Sequence, residues 1–256
     1  MSAVTVHATV TGRRDGPVVV LSNSLGSTHR MWDAQIEALN EHFRVVRYDT
    51  RGHGASPVPA GPYTLDDLVD DVVALLDRLD VARAHLVGLS LGGMTAMRLA
   101  QRHPERVNRM ALLCTGAQLP PPSAWTERAA AVRAQGSASV ASAVVARWFT
   151  PSYLGAHPEV RTVHEDMVAA TPAEGYAACC EAIAELDLRQ ALSSITAPTL
   201  VIAGADDPAT PPAKLEEIAA GIADSKLLVI EGAAHLANAE KPHAITPALI
   251  EHLERQ

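Results

Sequence analysis

The chain has 256 residues, 48% of them hydrophobic and 20% charged, with a formal net charge of −8. That composition supplies one sizeable core, and its acidic balance argues against a nucleic-acid surface, which needs clustered Lys and Arg. No run of about 18 apolar residues occurs, and MSAVTVHATV lacks the basic and apolar regions of a leader, so a cytoplasmic protein with no membrane partner is expected.

In chain order, β-branched runs predict buried strands at VTVHATV from Val4, VVVLS from Val18, FRVVRYD from Phe43, AHLVGL from Ala84, RMALLC from Arg109, TLVIAG from Thr199 and KLLVIEG from Lys226. Helical patterns lie between them, notably LDDLVDDVVALLDRL from Leu65 and MTAMRLAQRH from Met94. This alternation predicts an α/β fold, with βα units around a mostly parallel sheet covered on both faces. The first run could instead belong to an antiparallel edge hairpin. After Leu113 the rhythm stops: from Gly116 to about Ile195 there are only the breaker QLPPPS and Ala-rich helical segments such as TERAAAVRAQ and YAACCEAIAEL. Residues 1–115 and 196–256 therefore read as one core, and 116–195 as a helical cap inserted over its ligand edge. The three cysteines, two of them adjacent at Cys179 and Cys180, make no disulfide framework and read as packing residues.

GLSLGG, from Gly88 to Gly93, sits between a predicted strand and a predicted helix. In G-x-S-x-G the serine occupies a strained turn at a helix N-terminus, where backbone donors favour developing negative charge, so Ser90 is the candidate nucleophile. The motif resembles the nucleophile turn of α/β-hydrolases, in which an acid and then a histidine follow at the ends of later strands. TLVIAG is followed by ADDPATPP, and KLLVIEG by AAHLANAEKP. His235 is the one histidine of eleven in a short loop just after a late strand and just before the final helix. Asp206 and Asp207 are both placed to orient it, and one of them could simply cap the next helix. The G-x-x-D spacing of the superfamily, counted from Gly204, selects Asp207.

LSNSLGSTHRMW, from Leu21, breaks from apolar to small polar residues before a helix, as a loop built from backbone at a strand end would. Aligned on Gly26 with the His-Gly-x-x-Gly loop of α/β-hydrolases, it implies the backbone N–H groups of Ser24 and Leu91 as oxyanion donors.

SNSLGSTHRMWDAQIEAL, RYDTRGHGASP, GPYTLDDLVDDV, GLSLGGMTAMRLA, RWFTPSY, GYAACCEAIAELDLR and GAAHLANAEKP together resemble the 3-oxoadipate enol-lactone hydrolases, over nearly the whole chain. That resemblance implies an α/β-hydrolase fold and an acyl-enzyme lactonase of the β-ketoadipate pathway of aromatic catabolism. Its substrate would be a small lactone carrying a free carboxylate. Some members are fused to a decarboxylase; this chain stops soon after its last predicted helix, so no fused domain is expected. An anionic substrate needs a local cation, and the predicted cap offers Arg128, Arg133 and Arg147 near Trp125 and Trp148. Trp125, Arg128, Arg133 and Trp148 are the expected substrate contacts, with Trp125 and Arg128 sharing a helix face and favoured by the resemblance.

In DTRGHG, Arg51 reads as one half of a structural ion pair, and His53 lacks an orienting acid. Trp32 could line the pocket floor or anchor its helix. No metal-ligand spacing and no G-x-G-x-x-G is present, so neither metal nor cofactor is expected. A general carboxylesterase, a cofactor-free perhydrolase and a non-catalytic ligand-binding relative are alternatives on the same fold. Oligomeric state is not encoded in any readable pattern.

Overall fold

The inner apolar runs become strands because they can bury their side chains on a covered sheet, while the two edge strands stay partly exposed. In the computed structural model, which describes residues 2–255, the strands are β1 (Ala8–Gly12), β2 (Val18–Ser22), β3 (Arg44–Tyr48), β4 (Ala84–Leu89), β5 (Val107–Leu113), β6 (Thr199–Gly204) and β7 (Ser225–Ile230). They form one sheet in the order β1-β3-β2-β4-β5-β6-β7, parallel except for β1 against β3. Every residue of β4 and β6 is buried, which requires cover on both faces. The first apolar run begins at Val4 but pairs only from Ala8, because the Val4 N–H is taken by Asp71 Oδ1 at 2.7 Å. Its partner β3 is not its neighbour in sequence, so no edge hairpin forms.

Helices supply that cover. α1 (Asp33–His42) packs on α11 (Pro242–Glu254), α2 (Leu65–Arg78) on α3 (Leu91–Arg102), and α9 (Pro212–Gly221) on β6 and β7. α2 starts at a reciprocal cap: Thr64 Oγ1 accepts the Asp67 N–H at 3.2 Å, while Asp67 Oδ2 accepts the Thr64 N–H at 2.8 Å.

The connections determine where a ligand can enter. β2 leads to β3 on one side, and β3 leads back across to β4 on the other, so the strand order reverses between β2 and β4. Loops leaving adjacent carboxyl ends diverge at such a switch point and open a crevice. Ser22 pairs with Gly88, which puts the ends of β2 and β4 level and brings the loops bearing Ser24 and Ser90 side by side.

Between β5 and β6 the described residues form no strand. The chain runs through α4 (Pro122–Gln135), α5 (Ala138–Trp148), α6 (Pro151–Ala156), α7 (Pro158–Ala169) and α8 (Ala173–Ala184), then a 3-10 turn at Arg189–Ser194 that packs on α3 and α9. α4 lies against α8, and α5 against α7. This insertion meets the core backbone to backbone: a Cβ on Gly175 would lie 2.1 Å from the Gly52 carbonyl oxygen, so only glycine fits. Tyr176 follows at once and packs over Gly26. Cys114, just after β5, and Cys179 and Cys180, on α8, are free and buried. No helix among the described residues is long and apolar enough to cross a membrane.

Candidate active site

Ser90 stands at the turn from β4 into α3 with φ 57° and ψ −118°, a conformation that side-chain-bearing residues rarely adopt. The glycines on either side permit it. A Cβ on Gly88 would meet the Gly92 carbonyl oxygen at 2.3 Å, and one on Gly92 would meet the Ser22 carbonyl oxygen at 2.2 Å. The turn is fixed from below, since the Ser90 N–H donates to Leu113 O at 3.0 Å and the Thr115 hydroxyl donates to Ser90 O at 2.7 Å. Leu91 heads α3, so its N–H is one of the helix's unpaired first donors.

His235 and Asp207 come from the turns after β7 and β6, and both are buried. His235 Nδ1 lies 2.8 Å from Asp207 Oδ2. Asp207 also accepts the N–H groups of Ala209 at 2.8 Å and Thr210 at 3.0 Å, and the Thr210 hydroxyl at 2.6 Å. Burial works to raise its pKa, but the charge and hydrogen bond of His235 and the bonds from Thr210 outweigh it, leaving the carboxyl below its ordinary range. Asp206 is exposed, and its backbone N–H is bound to Ala233 O at 2.9 Å. Thr210 was not singled out by sequence; Asp207-x-x-Thr210 at a helix entrance is the signal that could have found it.

The loop after β2 is held by side chains. Asn23 donates to Tyr48 O at 2.6 Å and accepts from Trp32 Nε1 at 3.1 Å, so Trp32, fully buried, anchors this loop and does not line the cavity described below. The Gly26 N–H donates to His53 Nε2 at 3.0 Å. Burial pushes the His53 pKa down to about 4, against the opposing pull of the Arg51 carbonyl and Asp49, which keeps the ring neutral and able to accept that bond. Arg51 is clamped by Asp71 through two bonds of 2.6 Å. Ser24 lines the cavity, and its N–H donates to Met31 Sδ, a weak acceptor, at 3.2 Å.

A cavity of about 190 Å³ joins these loops to the insertion, with Ser24, Ser90 and His235 on the sheet side. Trp125, Arg128, Arg147 and Trp148 line the opposite wall with Tyr176. Trp125 Nε1 donates to Leu119 O at 3.0 Å, and the Arg128 guanidinium lies 4.8 Å from the Trp125 ring centre, as a shared helix face requires. Burial, and then repulsion from Arg128, lower the Arg147 pKa. Burial and Cys180 push Tyr176 up to about 12, opposed by Arg128, so its phenol is neutral. Among the described residues neither Arg128 nor Arg147 pairs with a carboxylate.

Arg133 is a correction. It points away from the cavity on the exposed side of α4, where its guanidinium bridges Glu174 at 2.8 Å and Glu181. These two acids lie on α8 and satisfy it, whereas Arg147, at the end of α5, has no such acid among the described residues. Sequence offered Arg147 as a cap cation but gave no means of ranking it above Arg133.

One group of potential metal ligands exists among the described residues: His7, His29 and Asp49 bring their donor atoms within 4.8 Å of one another. Asp49 Oδ1 already accepts the His29 N–H and faces His29 Nδ1, each at 2.8 Å, and Oδ2 accepts the Ala55 N–H at 3.0 Å. Hydrogen bonding accounts for that cluster, and none of the three residues lines the cavity. What the cavity itself offers is a hydroxyl on a strained turn, an imidazole oriented by a carboxylate, and a cationic wall opposite.

The chain resembles known proteins over most of its length. Residues 17–242 match the family model for the alpha/beta hydrolase fold. The 3-oxoadipate enol-lactonase 2 of Acinetobacter baylyi is 44% identical over 238 residues, which span 93% of this chain and 89% of the relative. The crystal structure of the enol-lactonase from Burkholderia xenovorans LB400 matches with a TM-score of 0.95 at 43% identity, covering 98% of this chain and 96% of that one. A thermophilic esterase from Thermogutta terrifontis, solved with malate bound, matches with a TM-score of 0.91 at 33% identity, covering 96% and 92%.

Proposed function

The chain belongs to the α/β-hydrolase fold family and is a hydrolase of carboxylic esters; from that premise we propose that it opens 3-oxoadipate enol-lactone to 3-oxoadipate through a Ser90 acyl-enzyme. The observation that carries this reading is the pair Arg128 and Arg147, unpaired with any carboxylate among the described residues, in the cavity that also holds Ser90 and His235. A cationic wall about one small molecule away from a nucleophile selects an ester that carries a carboxylate. The malate bound to the Thermogutta esterase, a small dicarboxylate, accords with it.

In the proposed reaction His235 takes the Ser90 hydroxyl proton while Asp207 holds the imidazole, and Ser90 Oγ bonds to the lactone carbonyl carbon. The N–H groups of Ser24 and Leu91 stabilise the oxyanion, each worth about 3 kcal/mol in the transition state. Collapse breaks the ring C–O bond, and the enolate oxygen leaves with the proton returned by His235. The leaving group stays tethered to the acyl-enzyme, and its tautomerisation to a ketone removes the enol that could close the ring again. Water, deprotonated by His235, then releases the acid and restores the Ser90 hydroxyl. Arg128 and Arg147 hold the remote carboxylate, and Trp125 and Trp148 shape the wall, so the insertion contributes position more than bond-making.

The test follows loss of the enol-lactone's ultraviolet absorbance, corrected for spontaneous hydrolysis, with the native protein and Ser90→Ala. Rapid decay that the substitution abolishes is the expected result. No acceleration by either protein, with Ser90-dependent cleavage of a neutral ester, would replace the lactonase with a general carboxylesterase.

A further inference from the structure

Glu240 is a buried carboxylate that the reaction above does not use. It ends α10 (Ala237–Glu240), is 5% exposed, and forms no salt bridge among the described residues. A buried charge without a countercharge is costly unless hydrogen bonds satisfy it. Here they do. Glu240 Oε2 accepts the Ala234 N–H at 2.9 Å, and Oε1 accepts the Thr150 N–H at 3.1 Å and the Thr150 hydroxyl.

Those partners flank the two sides of one cleft. Ala234 immediately precedes His235, and Thr150 lies two residues beyond Trp148 on the insertion. On the other side of the histidine, the Leu236 N–H donates to the Trp148 carbonyl oxygen at 2.7 Å. His235 is therefore held from both neighbours by the same insertion segment, residues 148–150, once directly and once through Glu240. Trp148, at the start of that segment, and Arg147, just before it, line the cavity wall.

We propose that Glu240 is a positioning residue: by clamping residues 234–236 to residues 148–150, it fixes the His235 imidazole against the wall that receives the substrate. This rests on His235 being the base. The Thr150 N–H also lies 3.3 Å from Oε2, so both carboxylate oxygens take part. An amide keeps one acceptor oxygen and replaces the other with a nitrogen that only donates, so in either orientation at least one bond of the clamp is lost, and Glu240→Gln should loosen it without emptying the space. A misplacement of about 1 Å away from the chemistry can cost on the order of 100-fold in rate.

The experiment compares native protein, Glu240→Gln, Glu240→Ala and Thr150→Val, each checked for folding by thermal melt. It measures kcat and KM on the lactone and acylation by a neutral activated ester, with Ser90→Ala as control. Expected are kcat losses of about 10-fold for the glutamine and about 100-fold for the alanine variant, with a smaller loss for Thr150→Val. Neutral-ester acylation should fall in parallel, and KM should stay within about 2-fold. Unchanged kcat in folded Glu240→Gln and Thr150→Val would overturn the proposal. So would a loss confined to KM for the carboxylated lactone, which would assign Glu240 to the arginine wall instead of the base. Full turnover by Ser90→Ala would fail the underlying reading separately.

Discussion

The carboxyl edge of the sheet and the helical insertion form opposite walls of one cavity, but they are specified by different physics. At the sheet edge, local rules place each group: a glycine-flanked turn presents Ser90, and short turns after β6 and β7 present Asp207 and His235. On the insertion, a side chain's role depends on which neighbouring helix faces it, as the contrast between Arg147 and Arg133 shows. In the proposed reaction this becomes a division of labour, with bond-making on the sheet edge and selection on the insertion. Substitutions on the two walls should therefore differ in kind. The largest effect is expected for Asp207→Asn, which should lower kcat about 10,000-fold on the carboxylated lactone and on a neutral ester alike, by allowing the wrong imidazole tautomer. A loss confined to the lactone would erase the distinction.

A smaller effect of opposite pattern is expected from the insertion. Arg147→Ala and Arg128→Ala each remove a charge-assisted bond worth about 1.5–3 kcal/mol, so KM for the lactone should rise about 10- to 100-fold while a neutral ester is spared. Steady-state kinetics on both substrates decides the matter. Equal losses on the two would mean that these guanidiniums support the fold of the wall and do not read the substrate.

The sheet side also carries acid sensitivity. His53 under the Gly26 loop and His85 on β4 are each held near pKa 4 by burial, from an ordinary 6.5. Between those values the unfolded chain binds the protons and the folded chain does not, so stability should fall as pH drops from about 6.5 towards 4, by roughly 1.4 kcal/mol per unit for each ring. Thermal melts at pH 7 and pH 5 should show a smaller difference for His53→Gln than for the native protein. An identical difference would mean that the ring is protonated in the fold.

The same division explains what could be read from sequence. The central strands were legible because burial on both faces demands continuous apolar runs, and the β4 turn was legible because few residues tolerate the Ser90 conformation. The roles of Asn23, Trp32 and Glu240 were not, because each depends on a partner distant in sequence or on the course of the insertion. His53 looked like a base without an acid; it is instead an acceptor for the Gly26 N–H, a contact across 27 residues that no spacing rule encodes.

Arg133 gives the smallest effect and the most discriminating one. Its carboxylate partners on α8 are partly solvent-exposed, and exposed ion pairs contribute about 1 kcal/mol or less each. Arg133→Ala should thus lower the melting temperature by a few degrees at most, and leave kcat and KM within about 2-fold on both substrates. It shares α4 with Arg128, so the two substitutions change the same helix by the same charge. If Arg133→Ala raised KM for the lactone as far as Arg128→Ala does, the general charge of the insertion would be attracting the substrate. If only Arg128→Ala does so, selection depends on a guanidinium facing the cavity without an acid of its own, and a cation already neutralised by Glu174 and Glu181 contributes only to packing α4 on α8.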